Sequence, residues 1–230
     1  MDTLWSGISL ADIHTDAARN IVSLRDTENL FDDLSDDSVD QQVGVEHEMR
    51  TKPAFYTNNA PIINRPFEEA EWQNAIGYPF DEWSVSRYSN GHYGVWYGGD
   101  SIETTLYETA YHWRMRLADA NWETDGSEIE RKVYWVACDA WLLDFRPLVN
   151  DYPALVHETD YMLTQQIGAR INREKHPGLV TQSARCDGEV YAVFNPEVLS
   201  NPRVACYFTY RLESGRVHIQ RQIGTDFMVI

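Results

Sequence analysis

Cysteine is scarce in this sequence, and its three copies, Cys138, Cys186 and Cys206, are widely spaced with no CxxC pair. This spacing suggests neither a disulfide framework nor a zinc site, so we expect three reduced thiols, with Cys138 and Cys206 in apolar strand-like runs. Long apolar runs are missing too, and none approaches the length of about eighteen residues that a membrane-spanning helix needs. The start, Met1 to Leu4, has neither the basic nor the apolar region of a secretory signal. The expectation is a soluble cytoplasmic protein.

Positive charge is also in short supply. Against 19 Lys and Arg stand 36 Asp and Glu, which gives a formal net charge of −17. A protein this acidic repels phosphate backbones and anionic lipid, so nucleic acid and membranes are excluded as partners. Residues 1–52 hold twelve of the 36 acidic residues but only four of the 19 basic ones. The acidic surplus is therefore concentrated in the first quarter of the chain.

The remaining composition is that of a folded protein. Hydrophobic residues make up 43% of the chain and aromatic residues 13%, which is enough to build a core. A length of 230 residues suits one sizeable domain with a decorated terminus. We divide the chain into an acidic, partly helical N-terminal extension, residues 1–53, and a domain over residues 54–230.

The N-terminal extension contains one periodic segment and one acidic run. A helix is predicted after Ser9, where apolar residues recur at three- and four-residue steps: Leu10, Ile13, Ala17, Ile21 and Leu24. The acidic run over residues 32–37 is typical of a solvated linker, and it lacks the glycine and the closing glutamate of a calcium loop.

The larger domain mixes a few helices with many short strands. Helices are predicted from Ile102 to about Leu117, behind the N-cap Ser101, and from Thr159 to Arg173. Strands are predicted over residues 83–88, 94–97, 133–138, 141–145, 178–181, 189–194, 205–212 and 217–223. Because regular βαβ alternation is missing, the pattern predicts an α+β fold with a mostly antiparallel sheet core.

Three residues are candidates for chemistry, each with an alternative. Glu108 lies about 160° from the centre of the apolar stripe of its helix, so it either faces solvent or lines a cleft. Arg87 either holds a phosphate or carboxylate through its planar fork or pairs with an acid at a sheet edge. Tyr97, which precedes Gly98-Gly99, fits either a ligand contact or a core tyrosine.

Other chemistries lack their motifs. The glycines between residues 91 and 99 match neither a dinucleotide fingerprint nor a P-loop. The seven histidines are scattered, with no two at metal spacing beside a carboxylate. Ser183 lies outside any Gly-x-Ser-x-Gly elbow. Metal-free chemistry with an arginine, an aromatic ring and a carboxylate is what remains.

The order and spacing of these residues resemble the RES domain family. Tyr97 follows ten residues after Arg87, and Glu108 follows eleven residues after Tyr97. A late segment, Gly178–Arg185, which leads into the strand-like run over residues 190–196, extends the likeness. The family is named for Arg, Glu and Ser, here Arg87, Glu108 and Ser183. The resemblance runs from about residue 54 to residue 212.

This resemblance implies a fold like that of ADP-ribosyltransferases and the activity of bacterial toxins that deplete NAD⁺, with a cognate antitoxin as partner. NAD⁺ is the implied substrate, and no metal is implied. Arg87 would bind the diphosphate, with Arg185 as a second phosphate contact. Glu108 would stabilise the cationic ribose, because cleavage of the nicotinamide–ribose bond passes through an oxocarbenium-like state. Tyr97 would stack near the nicotinamide, and Ser183 would hydrogen-bond the nicotinamide or its ribose.

Three hypotheses remain open. The first is an NAD⁺ glycohydrolase, phosphorylase or ADP-ribosyltransferase that passes ADP-ribose to phosphate, water or a protein. The second is a non-catalytic module that senses a nucleotide or binds a partner, motivated by Tyr88-Ser89 and Gln182, where family members commonly have Trp-Asn and Pro. The third is that residues 1–52 restrain the pocket, with a flexible acidic tail as the alternative. The ADP-ribose acceptor, an antitoxin and self-association as a homo-oligomer are left open by the sequence.

Overall fold

A computed structural model describes residues 2–23, 70–120, 125–222 and 224–230. Residues Met1–Ser23 and Trp72–Ile230 form one compact unit. The predicted domain boundary at residue 53, the acidic run over residues 32–37 and the last residue of the predicted N-terminal helix, Leu24, lie outside the described residues.

The described secondary structure includes eight strands, four α-helices, one π-helical turn and three short 3₁₀ helices, Arg146–Leu148, Pro153–Val156 and Pro196–Val198. The helices are α1 (Asp2–Ser6), α2 (Tyr78–Asp81), which follows a π-helical turn at Gln73–Gly77, α3 (Ile102–Asp119) and α4 (Met162–Glu174). The strands are β1 (Ser9–Val22), β2 (Trp96–Gly99), β3 (Glu128–Asp144), β4 (Gly178–Gln182), β5 (Glu189–Val193), β6 (Leu199–Glu213), β7 (Arg216–Gln222) and β8 (Thr225–Val229).

All eight strands belong to one sheet, in the order β1-β2-β5-β4-β3-β6-β7-β8. Every pairing is antiparallel except the short parallel contact between β3 and β4. Because β1 also pairs with β3, five of the strands close into a ring, and the β1–β2 side of that ring is a single residue pair, Ala18↔Gly99. The predicted α+β class with a mostly antiparallel sheet is confirmed.

The helix predicted after Ser9 is wrong, because this segment is strand β1. It pairs with β3 along its whole length, from Ser9↔Asp144 to Val22↔Arg131. A four-residue step fits both periods: Ile13, Ala17 and Ile21 fall on one face of a strand as well as on one stripe of a helix. Pairing with the long strand β3 therefore makes this segment a strand. Its apolar residues at odd-numbered positions fit the two-residue period of a strand.

Three further strand predictions need correction. Residues 83–88 form no strand, and only the isolated bridge Val85↔Asn90 joins the two sides of that turn. The strands predicted over 133–138 and 141–145 are one continuous strand, β3, since β1 pairs with it through Asp139 and Ala140. The hairpin continues past β7 into β8, which was not predicted because its first residues, Thr225-Asp226, are polar.

Both long helices pack on the same side of the sheet. Odd-numbered residues of β3, Val133 and Leu143, share buried clusters with apolar residues of α3 and α4, namely Leu106, Ala110, Trp113, Ile167 and Ile171. Even-numbered residues, such as Val136 and Leu142, pack instead with Ala75 and Ile76 of the π-helical turn. The fold thus places α3 and α4 on one side of the sheet, over different parts of β3, each with its polar face free of the sheet.

The three cysteines are free thiols, and Cys138 in β3 and Cys206 in β6 are buried in strands as predicted. Within the described ranges, no helix has the length and apolar character needed to cross a membrane.

Candidate active site

Glu108 lies on the face of α3 that points away from the core. The helix begins cleanly because the Ser101 hydroxyl accepts from the Thr104 amide, the cap that the sequence predicts. Leu106 and Ala110 are fully buried, whereas 21% of the Glu108 side chain is exposed. The carboxylate is therefore partly shielded from water at the edge of the packed layer.

Ser183 meets Glu108 directly. Its hydroxyl donates to Glu108 Oε1 at 2.6 Å, and it accepts from the Arg185 amide at 3.0 Å. The Ser183 side chain is buried, just after the end of β4. A short oxygen–oxygen distance is typical of a hydroxyl that donates to a charged carboxylate. The hydrogen bond joins two sequence segments, the Tyr97–Glu108 block and the Gly178–Arg185 segment.

Gly188 lets the loop after Ser183 lie against the start of α3. The Ser183 amide donates to the Gly188 carbonyl at 2.7 Å, which closes the loop. A Cβ atom at Gly188 would lie 2.0 Å from the Thr104 hydroxyl, which itself donates to Asp100 at 2.6 Å. A larger residue at this position would therefore require the Thr104 side chain or the loop that follows Ser183 to shift.

Arg87 lies in an irregular segment that Tyr97 holds in place. The Tyr97 hydroxyl accepts from the Tyr88 amide at 3.0 Å and forms a 2.8 Å hydrogen bond with the Ser86 hydroxyl. Burial raises the pKa of Tyr97, so the hydroxyl stays protonated. From α4, the Gln165 carboxamide donates to the carbonyls of Ser86 and Ser89. The residues on both sides of Arg87 are therefore fixed, although they form no strand.

The guanidinium groups of Arg87 and Arg185 contact neighbouring peptide groups. Arg87 donates to the His157 carbonyl at 2.8 Å, and Arg185 donates to the Glu158 carbonyl. Each also lies over an aromatic ring, Arg87 4.6 Å from the centre of Tyr161 and Arg185 3.4 Å from the centre of Tyr111. Cation–π contacts hold an arginine without neutralising it. Both cations keep their charge available to an anion.

Electrostatic effects connect these groups into one site. Burial raises the pKa of Tyr88 to about 12, while Arg87 lowers it and Glu108 raises it. Glu108, Arg185 and Arg87 all shift the pKa of His112 as well. Interactions of this kind fall off steeply with distance, so Arg87, Glu108 and Arg185 share one neighbourhood. One carboxylate, one buried hydroxyl and two arginines together suit an anionic substrate in which positive charge develops.

Four of the five predicted site residues are connected through direct or backbone-mediated contacts, and the fifth, Tyr97, supports the segment that carries Arg87. Glu108, Ser183 and Arg185 form a continuous chain of contacts, and Arg87 joins Arg185 through the His157–Glu158 backbone. The hydroxyl of Tyr97 is used in fixing the Arg87 segment, and its ring packs on a buried cluster. Tyr97 therefore has the placement of a positioning residue.

Sequence reasoning assigned no role to Tyr111, Tyr161 or His112. Tyr161 and the carbonyls of residues 157 and 158 come from a loop that carries no recognisable motif. His112 had a usable signal, since it follows Glu108 by four residues on the same helix and so shares its face. A cavity of about 250 Å³ elsewhere, lined by residues including Lys175, His176 and Phe194, contains none of these side chains.

Comparison with known proteins adds three findings. A family model described as "RES domain" matches residues 62–213. No curated protein matches the sequence. Among solved structures, the chain is similar to a chain in the crystal structure of the M. tuberculosis MbcT–MbcA toxin–antitoxin complex, with 11% sequence identity, 89% of this chain and 90% of that chain covered, and a TM-score of 0.46.

Proposed function

Because this chain belongs to the RES domain family, we propose that it is an NAD⁺-consuming, toxin-like enzyme that cleaves the bond between nicotinamide and ribose. ADP-ribose then passes to an acceptor such as water, phosphate or a protein side chain. The observation that carries the proposal is the 2.6 Å hydrogen bond from Ser183 to Glu108, two of the three residues after which the family is named. The third, Arg87, is connected to them through Arg185 and the backbone of residues 157 and 158.

Glu108 has the charge that the reaction needs. As the bond to nicotinamide breaks, positive charge develops on the ribose, and a fixed carboxylate nearby stabilises it. The Ser183 hydroxyl holds one carboxylate oxygen, so the group does not have to reorganise during the reaction. Partial shielding from water strengthens the attraction, since the effective dielectric constant is lower there.

Arg87 and Arg185 bind the diphosphate of NAD⁺ in this proposal. The protein as a whole is strongly acidic and repels a diphosphate, so the substrate requires local positive charge. Arginine forks suit phosphate oxygens because they offer several donors in one plane. The aromatic rings of Tyr161 and Tyr111 keep the two guanidinium groups in position before substrate binds.

A protein antitoxin is the partner that this function calls for, because a cell that makes an NAD⁺-consuming enzyme must restrain it. Expression of the active chain alone would then stop growth, and expression of the Glu108→Gln variant would not. A partner that restores growth and co-purifies with the chain would identify the antitoxin.

Nicotinamide release from NAD⁺ by the purified protein tests the function. We expect release by the wild type and a loss of at least about 10²-fold in the Glu108→Gln variant, which keeps the shape but removes the charge. Glu103→Gln is the matched control, because Glu103 is an exposed carboxylate in the first turn of the same helix. No release by wild type, combined with NAD⁺ binding in calorimetry, would instead favour a nucleotide-sensing module.

A further inference from the structure

His112 lies one helical turn after Glu108, and its imidazole faces the carboxylate oxygen that Ser183 leaves free. Ser183 binds Oε1, whereas His112 Nε2 lies 3.9 Å from Oε2. This separation is too long for a hydrogen bond, but an oxygen atom can lie about 2.8 Å from both groups at once. The gap between His112 and Glu108 therefore has the dimensions of a position for a water or hydroxyl oxygen.

The surroundings of His112 keep its imidazole neutral. Partial burial lowers its pKa, and the arginines around it, Arg185, Arg116 and Arg87, lower it further, while Glu108 alone raises it. The net effect is a pKa of His112 below its usual value, so at neutral pH the ring can accept a proton. Half of the side chain is exposed, and the ring edge lies against Tyr111. A nucleophile can therefore reach it from solvent.

We propose that His112 is the proton acceptor for the group that attacks the ribose, an inference that rests on the proposed function. The O–H bond of a water or alcohol breaks, and its proton goes to Nε2 of His112. The oxygen forms a bond to C1′ of the ribose as the C1′–N bond breaks. The electron pair of the C1′–N bond stays on the nitrogen, so nicotinamide leaves as a neutral molecule. The imidazolium then returns the proton to solvent. The acceptor class is thus a hydroxyl group, which needs deprotonation, rather than an already ionised phosphate.

The pH dependence of nicotinamide release tests this role. We expect the wild-type kcat to fall on the acidic side as His112 becomes protonated. His112→Gln is expected to lower kcat at pH 7.5 by about 10²-fold, to flatten that acidic limb and to change KM little, because the arginines still bind the diphosphate. His14→Gln is the control, since that exposed imidazole lies between Asp12 and Asp139 on β1 and β3.

Azide provides the second readout, because it attacks without losing a proton. Added azide should restore nicotinamide release by His112→Gln to within a few-fold of wild type, with ADP-ribosyl azide identified by mass. A misfolded variant would not be rescued in this way. A His112→Gln variant with wild-type kcat and an unchanged pH profile, or one that keeps the wild-type KM yet is not rescued by azide, would overturn the inference alone. A wild-type protein that releases no nicotinamide would overturn the proposed function with it.

Discussion

Arg87 and Arg185 are bound to the carbonyl groups of two successive residues, His157 and Glu158, although they come from opposite ends of the family match. One uncharged stretch of backbone therefore brings the two cations together. Hydrogen bonds from arginine to charged phosphate oxygens are stronger than those to neutral carbonyls. In the proposed function, a diphosphate would replace residues 157 and 158 as the partner of both guanidinium groups.

Replacing either arginine by lysine should weaken binding of NAD⁺. Lysine keeps the charge but loses the planar fork, so we expect Arg87→Lys and Arg185→Lys each to raise KM by about 10- to 100-fold, equivalent to about 1.5–3 kcal/mol. Steady-state nicotinamide release measures this. Arg203→Lys is the control, because Arg203 pairs with the exposed Asp16. Unchanged KM in both variants would rule out a role for these arginines in binding the diphosphate.

Removing the Ser183 hydroxyl should slow turnover more than it weakens binding. Ser183→Ala leaves Oε1 of Glu108 without its hydrogen bond, so the carboxylate loses its fixed orientation. A hydrogen bond to a charged group is worth about 1.5–3 kcal/mol, and we expect kcat to fall by about 10- to 100-fold. The exposed Ser200→Ala variant is the control. If Ser183→Ala instead raised KM alone, its role would be substrate binding.

Tyr97→Phe tests whether Tyr97 is a positioning residue. The variant leaves the Tyr88 amide unsatisfied, so the free energy of unfolding in urea should fall by about 1–3 kcal/mol. KM for NAD⁺ should rise at the same time, because the Arg87 segment loosens. The half-exposed Tyr207→Phe should change neither quantity. Full stability with reduced kcat would point instead to direct contact between the Tyr97 hydroxyl and the substrate.

Arg19 offers a test of the ring closure. It donates to the Tyr97 carbonyl at 2.9 Å across the single-pair β1–β2 contact, and no described carboxylate pairs with it. Burial lowers its pKa to about 10, with Arg131 adding to the effect, so the charged form costs stability at neutral pH. Because the folded state gives up this proton more readily, the contribution of Arg19 to stability should rise with pH above about 10, whereas the raised pKa values of Tyr88 and Tyr97 act in the opposite direction.

We therefore expect Arg19→Met to unfold at the same or a higher urea concentration than wild type, because a buried charge is replaced by an apolar side chain. NAD⁺ turnover should nonetheless fall, since the strand that carries Tyr97 keeps only the Ala18↔Gly99 pair as its link to β1. Stability and activity measured on the same preparation separate the two effects. A large loss of stability would mean that the Arg19–Tyr97 contact mainly maintains the fold.

The cysteines should differ in reactivity. Burial raises the pKa of Cys138 to about 11, with Asp139 contributing, and burial also raises the pKa of Cys206. Thiolates are the reactive form, so at pH 8 both should react slowly. Cys186 is only partly buried, and one fast equivalent with a thiol reagent should come from it. Cys186→Ser should abolish the fast phase, and its persistence would contradict this assignment.

Elements whose local sequence signals agree with their tertiary packing could be predicted from the sequence. Helix α3 was found because its cap, Ser101, and its apolar stripe agree, and the stripe also gives the outward direction of Glu108. Strand β1 was missed because its spacing at Ile13, Ala17 and Ile21 fits two periods, and its partner is more than a hundred residues away. Pairing with a distant strand leaves no trace in a local window.

For the candidate site, the sequence indicated candidate residues but not their contacts. The spacing of Arg87, Tyr97, Glu108 and Ser183 carried the family resemblance. The contacts of Arg87 and Arg185 depend on a loop near residue 157 that has neither periodicity nor motif, so the backbone carbonyls could not be foreseen. The hydroxyl of Tyr97 turns inward because Ser86 and the Tyr88 amide need a partner, which is a consequence of packing.

Strand β1 precedes the segment that the family model matches, yet it covers one edge of β3, the longest of the described strands. A truncated chain starting at residue 54 would expose that edge of β3 along fourteen residue pairs, and an uncovered edge of this length is prone to self-association. If such a truncated chain precipitated, the cause would be the loss of strand β1. It would not show that residues 1–52 restrain the pocket. Excision of residues 24–53 alone, with a short linker, is the way to ask what the acidic segment does.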